Sequence, residues 1–475
     1  MELDPLLLSR LQFAFVIAFH ILFPAFTVGL ASYIAMLEGL YLARGDERYL
    51  RASKFWLRIF AVSFGMGVVS GIVMPFQLGT NWAVFSDKTA NVVGPLLAYE
   101  GLTAFFLEAG FLGVLLFGRD KVPQWAHFGA AVLVAAGTLF SSFWILAFNS
   151  WMQTPAGFTM EAGRFVPASF AAIIFNPSFP YRLMHTVSAF YVSTGFVVLG
   201  VAAYHLARGQ HRDTVSLMAR MAVGFLAITT PLQIFLGDIH GLNTLQHQPA
   251  KIAAMEGLWE TRAPAPSVLF AIPDQQAQAN RFEVAVPKLA SVYLTHSLDG
   301  KVVGLKAFPR ADQPPVLPVF FAFRIMVGIG VLMLGVAWWG VWLLWRGRLE
   351  TARGYLRVAQ WMLPSGFIAV LAGWTVAEVG RQPWTVYGLL RTAHSVSPSL
   401  TGLDVTLSLV FYLVVYAVVY AAGGYYLVRL AREGPRHASG SAPAEGEVSV
   451  PSVARATGPL SAAPSAFEKG DGHGD

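Results

Sequence analysis

Nine stretches of this chain stay apolar for about the 20 residues that a helix needs to cross a bilayer. They run over roughly 11–42, 55–80, 93–118, 125–150, 183–207, 216–239, 316–345, 358–379 and 404–430. The first, from Leu11 to about Leu42, is too long for the apolar region of a signal peptide, and no small-residue cleavage site follows it. It is therefore the first transmembrane helix. The spacing predicts an all-α integral membrane protein of nine transmembrane helices, with the first and seventh long enough to tilt or project.

Composition agrees. Of 475 residues, 55% are hydrophobic and 13% charged, about half the charged share of a soluble domain. Cysteine is absent, which excludes disulfides, thiolate-held iron–sulfur clusters, a thiolate copper site and CxxCH haem attachment. Any redox cofactor must be held by His, Met or carboxylate. The net charge of +6 requires no nucleic acid, because the basic residues gather on alternate loops.

Those loops predict the orientation. Arg44, Arg48, Arg51 and Lys54 follow the first span; Arg119 and Lys121 follow the third. Arg208 and Arg212 follow the fifth, Arg346, Arg348, Arg353 and Arg357 the seventh, and Arg429, Arg432 and Arg436 the ninth. The alternate short loops carry only Lys88, Arg164 and the pair Arg381 and Arg391. The positive-inside rule then puts the N-terminus outside and the C-terminus in the cytoplasm.

The expected organisation is residues 1–239 for helices one to six, 240–315 for an external polar loop, 316–432 for helices seven to nine, and 433–475 for a disordered cytoplasmic tail rich in Ala, Gly, Ser and Pro. No internal repeat is evident.

Against this apolar background stand His20, Glu100, Glu108, His185, Met326 and Glu378. A charged group at the bilayer centre costs roughly 2.5–3.5 kcal/mol on insertion scales, so it is seldom idle. His20 lies about 15 Å along the first helix at ~1.5 Å per residue. It reads equally as a histidine bonded to a neighbouring helix or as an axial haem ligand. His185 and Met326 begin the fifth and seventh spans at similar depth; a His/Met pair leaves low-spin iron with no open position. Met326 alone would more often be core packing. Arg324, two residues earlier, has the charge to pair with a haem propionate. Glu100 and Glu108 lie ~12 Å apart along the third span and ~80° apart around it. Two unpaired carboxylates there point to a proton route or a metal ligand. Glu378 ends the eighth span, with Trp374 one turn before it, and a carboxylate is a weak iron ligand that leaves the other face open.

Four motifs now place the chain beside a known family. They are Gly94-Pro95-Leu96-Leu97-Ala98-Tyr99-Glu100-Gly101, Phe323-Arg324-Ile325-Met326-Val327-Gly328 and Glu378-Val379-Gly380-Arg381-Gln382-Pro383-Trp384, with the loop segment from Gly237-Asp238 through Gln248-Pro249-Ala250-Lys251 to Glu256. The chain resembles subunit I of the cytochrome bd-type quinol oxidases over nearly its whole length before the tail. The resemblance implies a low-spin haem b held by His185 and Met326 with Arg324 beside it. It also implies a high-spin haem b and a haem d, for which His20, Glu100 and Glu378 match the ligands. Glu108 matches a proton-path residue, Trp374 an aromatic between haems, and Lys251 and Glu256 the quinol site. The loop is of the short type, and some short-loop relatives carry haem b in place of haem d. A homologous membrane subunit II and often a very small single-helix subunit are implied partners, in a bacterial inner membrane.

The resemblance implies oxidation of quinol outside, reduction of O₂ to water and proton uptake from the cytoplasm, separating charge without a pump. Lys251 and Glu256 stand five apart, ~140° around a helix, so they need not form a salt bridge; without the resemblance they read as two ordinary loop charges. A haem–copper oxidase would need about six intramembrane histidines, and only His20 and His185 are so placed. A proton-coupled transporter using Glu100 and Glu108 would bring inverted repeats and broken midplane helices, neither evident here. A haem-anchoring structural subunit would leave His20, Glu100 and Glu378 without a purpose.

Overall fold

The computed structural model describes residues 4–435, so the tail expected to be disordered lies, from 436 onward, outside the described residues. Among the described residues, nine helices are long and apolar enough to cross a membrane. They are Pro5–Arg44, Glu47–Thr80, Ala83–Phe117, Gln124–Gln153, Phe179–Ala207, Arg212–His247, Val316–Trp345, Arg353–Val379 and Gly402–Glu433, called spans one to nine below. The nine expected spans are all present, and most run further than their apolar cores.

Capping sets several starts. Asp4 accepts from the Leu6 N–H and Asp46 from the Arg48 N–H, while Thr401 and Asp404 form a reciprocal capping box. Span one is broken at Phe23, because Pro24 has no N–H to give the preceding turn; its halves are Pro5–Leu22 and Pro24–Arg44. Span eight is broken before Pro364, between Arg353–Trp361 and Ser365–Val379. Span three holds a π-helical turn over Gly101–Phe105, where i→i+5 bonds replace the α ladder. It starts at Ala83 rather than 93, so Lys88 is helical; Arg164 lies on the hairpin Phe158–Glu161/Arg164–Pro167 and pairs with Asp87 at 2.7 Å.

Span five is central, with 72% of its apolar window buried. Thr194 donates to the Phe26 carbonyl, and Gly200 lies close against Leu363. Spans three and nine are the most exposed, each only 17% buried over that window.

Span six runs to His247, past the boundary of 239 expected from hydropathy. The connection that follows is ordered, and the bundle end that carries it is called the loop face below. It contains the helix Pro249–Glu256, an antiparallel hairpin of Ser267–Asp274 and Ala279–Val286, and the helix Leu289–Thr295. Ile252, Leu258, Trp259, Val268, Leu294 and Leu305 form a core with Val316, Val319 and Phe320 of span seven. At the other end of the bundle, buried Glu38 of span one accepts from Ser53 of span two and from Arg119, with Oε2 3.3 Å from His127 Nδ1 of span four.

Candidate functional site

At the loop face, Glu378 closes span eight and organises a buried ionic cluster. Its Oε1 accepts from Asn149 (3.1 Å) and Gln153 (3.2 Å) of span four and lies 3.9 Å from Arg182 of span five. Its Oε2 pairs with Arg381 at 2.5 Å, and Arg182 also donates to Asn149. Gln153 turns its oxygen to Lys251, which donates at 2.7 Å, and to Gln248 at 3.0 Å. Lys251, Arg182 and Arg381 are all buried; the two arginines flank the carboxylate, and Lys251 reaches it through Gln153. Lys251 lies beyond the spans; burial, and then the nearby Arg182 charge, hold its ammonium well below the usual lysine range.

Glu256, at the other end of the same short helix, points elsewhere, as its ~140° offset from Lys251 requires. It is 1% exposed, and its Oε2 accepts from Tyr293 at 2.5 Å. Burial raises its carboxyl above the usual carboxylate range, against the lowering pull of Tyr293 and Arg324. The reading of Lys251 and Glu256 as solvated loop charges does not survive their burial. Arg324 stacks over Phe320 with its guanidinium carbon 3.4 Å from the ring centre. It donates to the carbonyls of Val268, Met255 (2.6 Å) and Phe320 (3.1 Å). Its hydrogen bonds thus tie the loop to span seven.

His20 Nδ1 lies 3.0 Å from Ser70 Oγ, which has the Gly67 carbonyl 2.9 Å away. With the serine proton given to that carbonyl, Ser70 accepts from Nδ1–H and the basic lone pair is on Nε2. His185 has the Gln233 amide nitrogen 3.4 Å from both ring nitrogens and the His240 ring centre at 5.4 Å. Three ligand-type side chains face glycines of neighbouring helices. A Cβ at Gly71 would stand 3.1 Å from His20, at Gly237 3.2 Å from His185, and at Gly373 2.9 Å from the Met326 sulfur. Trp374 packs against the cluster of Ile21, Ala25, Val28 and Phe190, one residue on from His20.

The two carboxylates of span three both turn to span four. Ser141 donates to Glu100 at 2.8 Å, and Glu108 rests against Gly137, where a Cβ would stand 2.5 Å from its Cγ. Residues 137 and 141 are one turn apart, so the groups share one face of span four. The π turn between them overrides the ~80° offset expected of a regular helix. Glu108 is 7% exposed and its Oε1 has no hydrogen-bond partner.

These surroundings fit iron porphyrin. Among the described residues, no group of three or more His, Asp or Glu is placed to hold a bare metal ion, whereas a porphyrin needs only one or two axial ligands from the protein. The side chains available for that task lie in glycine-cleared positions. Buried Arg182 Nε and Arg381 Nε and Nη1 have no partner, which suits carboxylate groups brought by a cofactor.

Sequence reasoning missed Arg182, Asn149, Gln153, Ser141, Gln233 and Tyr293, and gave Arg381 no role beyond a loop charge and a place in the Glu378–Trp384 motif. Arg182 and Arg381 each lie three residues from a named site residue, His185 and Glu378, and that spacing was a usable signal. Tyr293 had none.

The cytochrome bd terminal oxidase subunit I family matches residues 8–435. Cytochrome bd ubiquinol oxidase subunit 1 of Bacillus subtilis is 37% identical, over 92% of this chain and 95% of its own length. Cytochrome bd-II ubiquinol oxidase subunit 1 of Escherichia coli is 34% identical, over 91% and 97%. The solved bd oxidase from Geobacillus thermodenitrificans superposes with a TM-score of 0.84 at 29% identity, covering 91% of this chain and all of the matched one. Sequence and fold meet over the same nine-span body, and the chain belongs to the cytochrome bd terminal oxidase subunit I family.

Proposed function

We propose that this chain is the quinol-oxidising, haem-bearing subunit of the oxidase. Quinol is oxidised at the loop face, on the outer side, and O₂ is reduced to water inside the bundle with protons drawn from the cytoplasmic side. The observation that carries this reading is the separation of two proton-handling sets. Lys251 and Glu256 lie in the loop segment, and Glu100 and Glu108 line one face of span four within the bundle.

Glu256, with its affinity for protons raised by burial, is a base poised closer to neutrality than a free carboxylate. Lys251 has protons beyond the one given to Gln153 and can donate to a quinone oxygen. Glu108, with its unpartnered oxygen, is one station for protons, and Glu100 with Ser141 forms the next. In this reading His185 and Met326 hold a low-spin haem b. His20, Glu100 and Glu378 hold a high-spin haem b and a haem d, or haem b in its place as in some short-loop relatives. Arg324 lies beside the low-spin group and Trp374 between haems. When bound, haem supplies one-electron transfer and the iron at which oxygen is reduced. As a subunit I the chain works with a membrane subunit II, and a small single-helix subunit is a further expected component.

A dithionite-reduced minus air-oxidised spectrum of the purified complex, with pyridine haemochrome analysis, tests this. Haem b with a chlorin-type band is expected; haem b alone with quinol-driven oxygen uptake intact assigns the haem-b-only branch. A fully assembled complex without haem would sink the proposal.

A further inference from the structure

The quinol-site base proposed above, Glu256, is buried without a cation in direct contact. A buried carboxylate that must alternate between charged and neutral forms needs hydrogen-bond partners for both. Tyr293, half-buried on the helix Leu289–Thr295, is placed to provide them. Its hydroxyl lies 2.5 Å from Glu256 Oε2 and 3.0 Å from Ser267 Oγ at the start of the hairpin. The three oxygens form a short chain within the loop segment.

We propose, on the reading that Glu256 is the quinol-site base, that Tyr293 is its positioning residue and, with Ser267, holds the hydrogen-bond chain that serves both of its protonation states. Hydroxyl groups act as donor or acceptor by rotation, so one set of oxygens serves both states. With Glu256 ionised, Tyr293 donates to Oε2 and accepts from Ser267. The proton left by a quinol hydroxyl bonds to the open oxygen, Oε1, and the electrons are those the oxidase reaction already consumes. A half-turn of the carboxyl group then brings its O–H to the Tyr293 oxygen, and the Tyr293 proton turns to Ser267 Oγ. The Tyr293 hydroxyl thus keeps both a donor and an acceptor role in either state.

The other charged groups around this helix are engaged elsewhere. Span seven brings Arg324, whose donors go to backbone carbonyls while its charge favours the ionised base. On span six, Asp238 turns to His296, His240 to His185 and His247 to Asn243. Lys306 pairs with Glu260, and Lys251 faces Gln153. Glu256 therefore depends on Tyr293 for its direct hydrogen bond.

The test is the pH dependence of quinol oxidation by the intact complex, normalised to haem content. The acid limb of kcat reports loss of the ionised base. Tyr293→Phe removes the donor to the charged form, so the limb should move up by about one pH unit and kcat should fall about tenfold, with KM for quinol unchanged. Ser267→Ala keeps the Tyr293–Glu256 bond but orphans the tyrosine proton when Glu256 is neutral. The acid form is then disfavoured, and the limb should move the other way, to lower pH. Shifts of opposite sign support the inference, because a merely structural pair would lower both rates and leave the limb in place. A limb unmoved in Tyr293→Phe, or moved the same way in both variants, overturns it. Should Tyr293→Phe fail to assemble, the downward shift in Ser267→Ala decides alone. Glu256→Gln separates the two readings. If it keeps the wild-type rate and limb, Glu256 is not the base and the quinol-site reading fails with the inference. If it is inactive while Tyr293→Phe leaves the limb unmoved, only the inference fails.

Discussion

Glycine within a helix is about 1 kcal/mol less favourable than alanine, yet Gly71, Gly237 and Gly373 each stand in a span against His20, His185 or Met326. Their role is clearance, since a methyl group there would press on an imidazole or a thioether. On the proposed ligand set, Gly237→Ala should therefore shift the reduced spectrum of the low-spin haem, although helix propensity favours the change. Met326→Leu conserves volume and should cost less than about 1.5 kcal/mol of packing, so the complex should assemble. It should nonetheless lose its low-spin band and at least about tenfold of its quinol oxidase rate. An unaltered spectrum and rate for Met326→Leu would remove Met326 from the ligand set. The ligand-type residues were legible from sequence because a His or Glu stands out in an apolar run. Their glycine partners were not, because one glycine among many in an apolar span carries no mark of what it faces.

Elements decide how those residues meet. Span three is apolar from end to end, and the hydropathy pattern gave its existence but not its π turn. A π turn amounts to one extra residue in an α ladder, and it swings Glu100 onto the face of span four that Glu108 also meets. Deleting Leu102, which is 66% exposed, should restore the α ladder and rotate the two carboxylates about 100° relative to each other. Oxygen uptake should then drop at least about tenfold while Leu102→Ala stays near wild type. Equal activity in both would show that the turn does not serve the carboxylates. The loop segment is a second case. Polar composition made it a connection, whereas Arg324 and the Ile252–Leu305 core make it a folded layer on span seven.

At the scale of the molecule, the bundle has a loop face, with the ordered segment and the Glu378 cluster, and an opposite face, where Glu38, Ser53, Arg119 and His127 join the ends of spans. Charge bias predicts that the loop face is on the outside. The chain has no cysteine, so single cysteines report cleanly. Ala277→Cys, in the hairpin turn, should react with a membrane-impermeant maleimide in intact cells. Arg348→Cys, between spans seven and eight, should react only after permeabilisation. The reverse pattern would invert the topology and, with it, the proposed direction of proton movement.

The sequence by itself determined the number and type of spans, the absence of thiolate chemistry, the ligand-type residues and, through four ordered motifs, the family. All of these depend on local composition or spacing, because a bilayer selects segments by their own hydropathy. The tertiary structure alone decided that Lys251 and Glu256 are buried, that two arginines flank one carboxylate at Glu378 with Lys251 joined to it through Gln153, and that both carboxylates of span three face span four. Those facts depend on which helix a side chain meets, and a chain apolar on nearly every face leaves that choice to packing between distant segments rather than to any pattern along one of them.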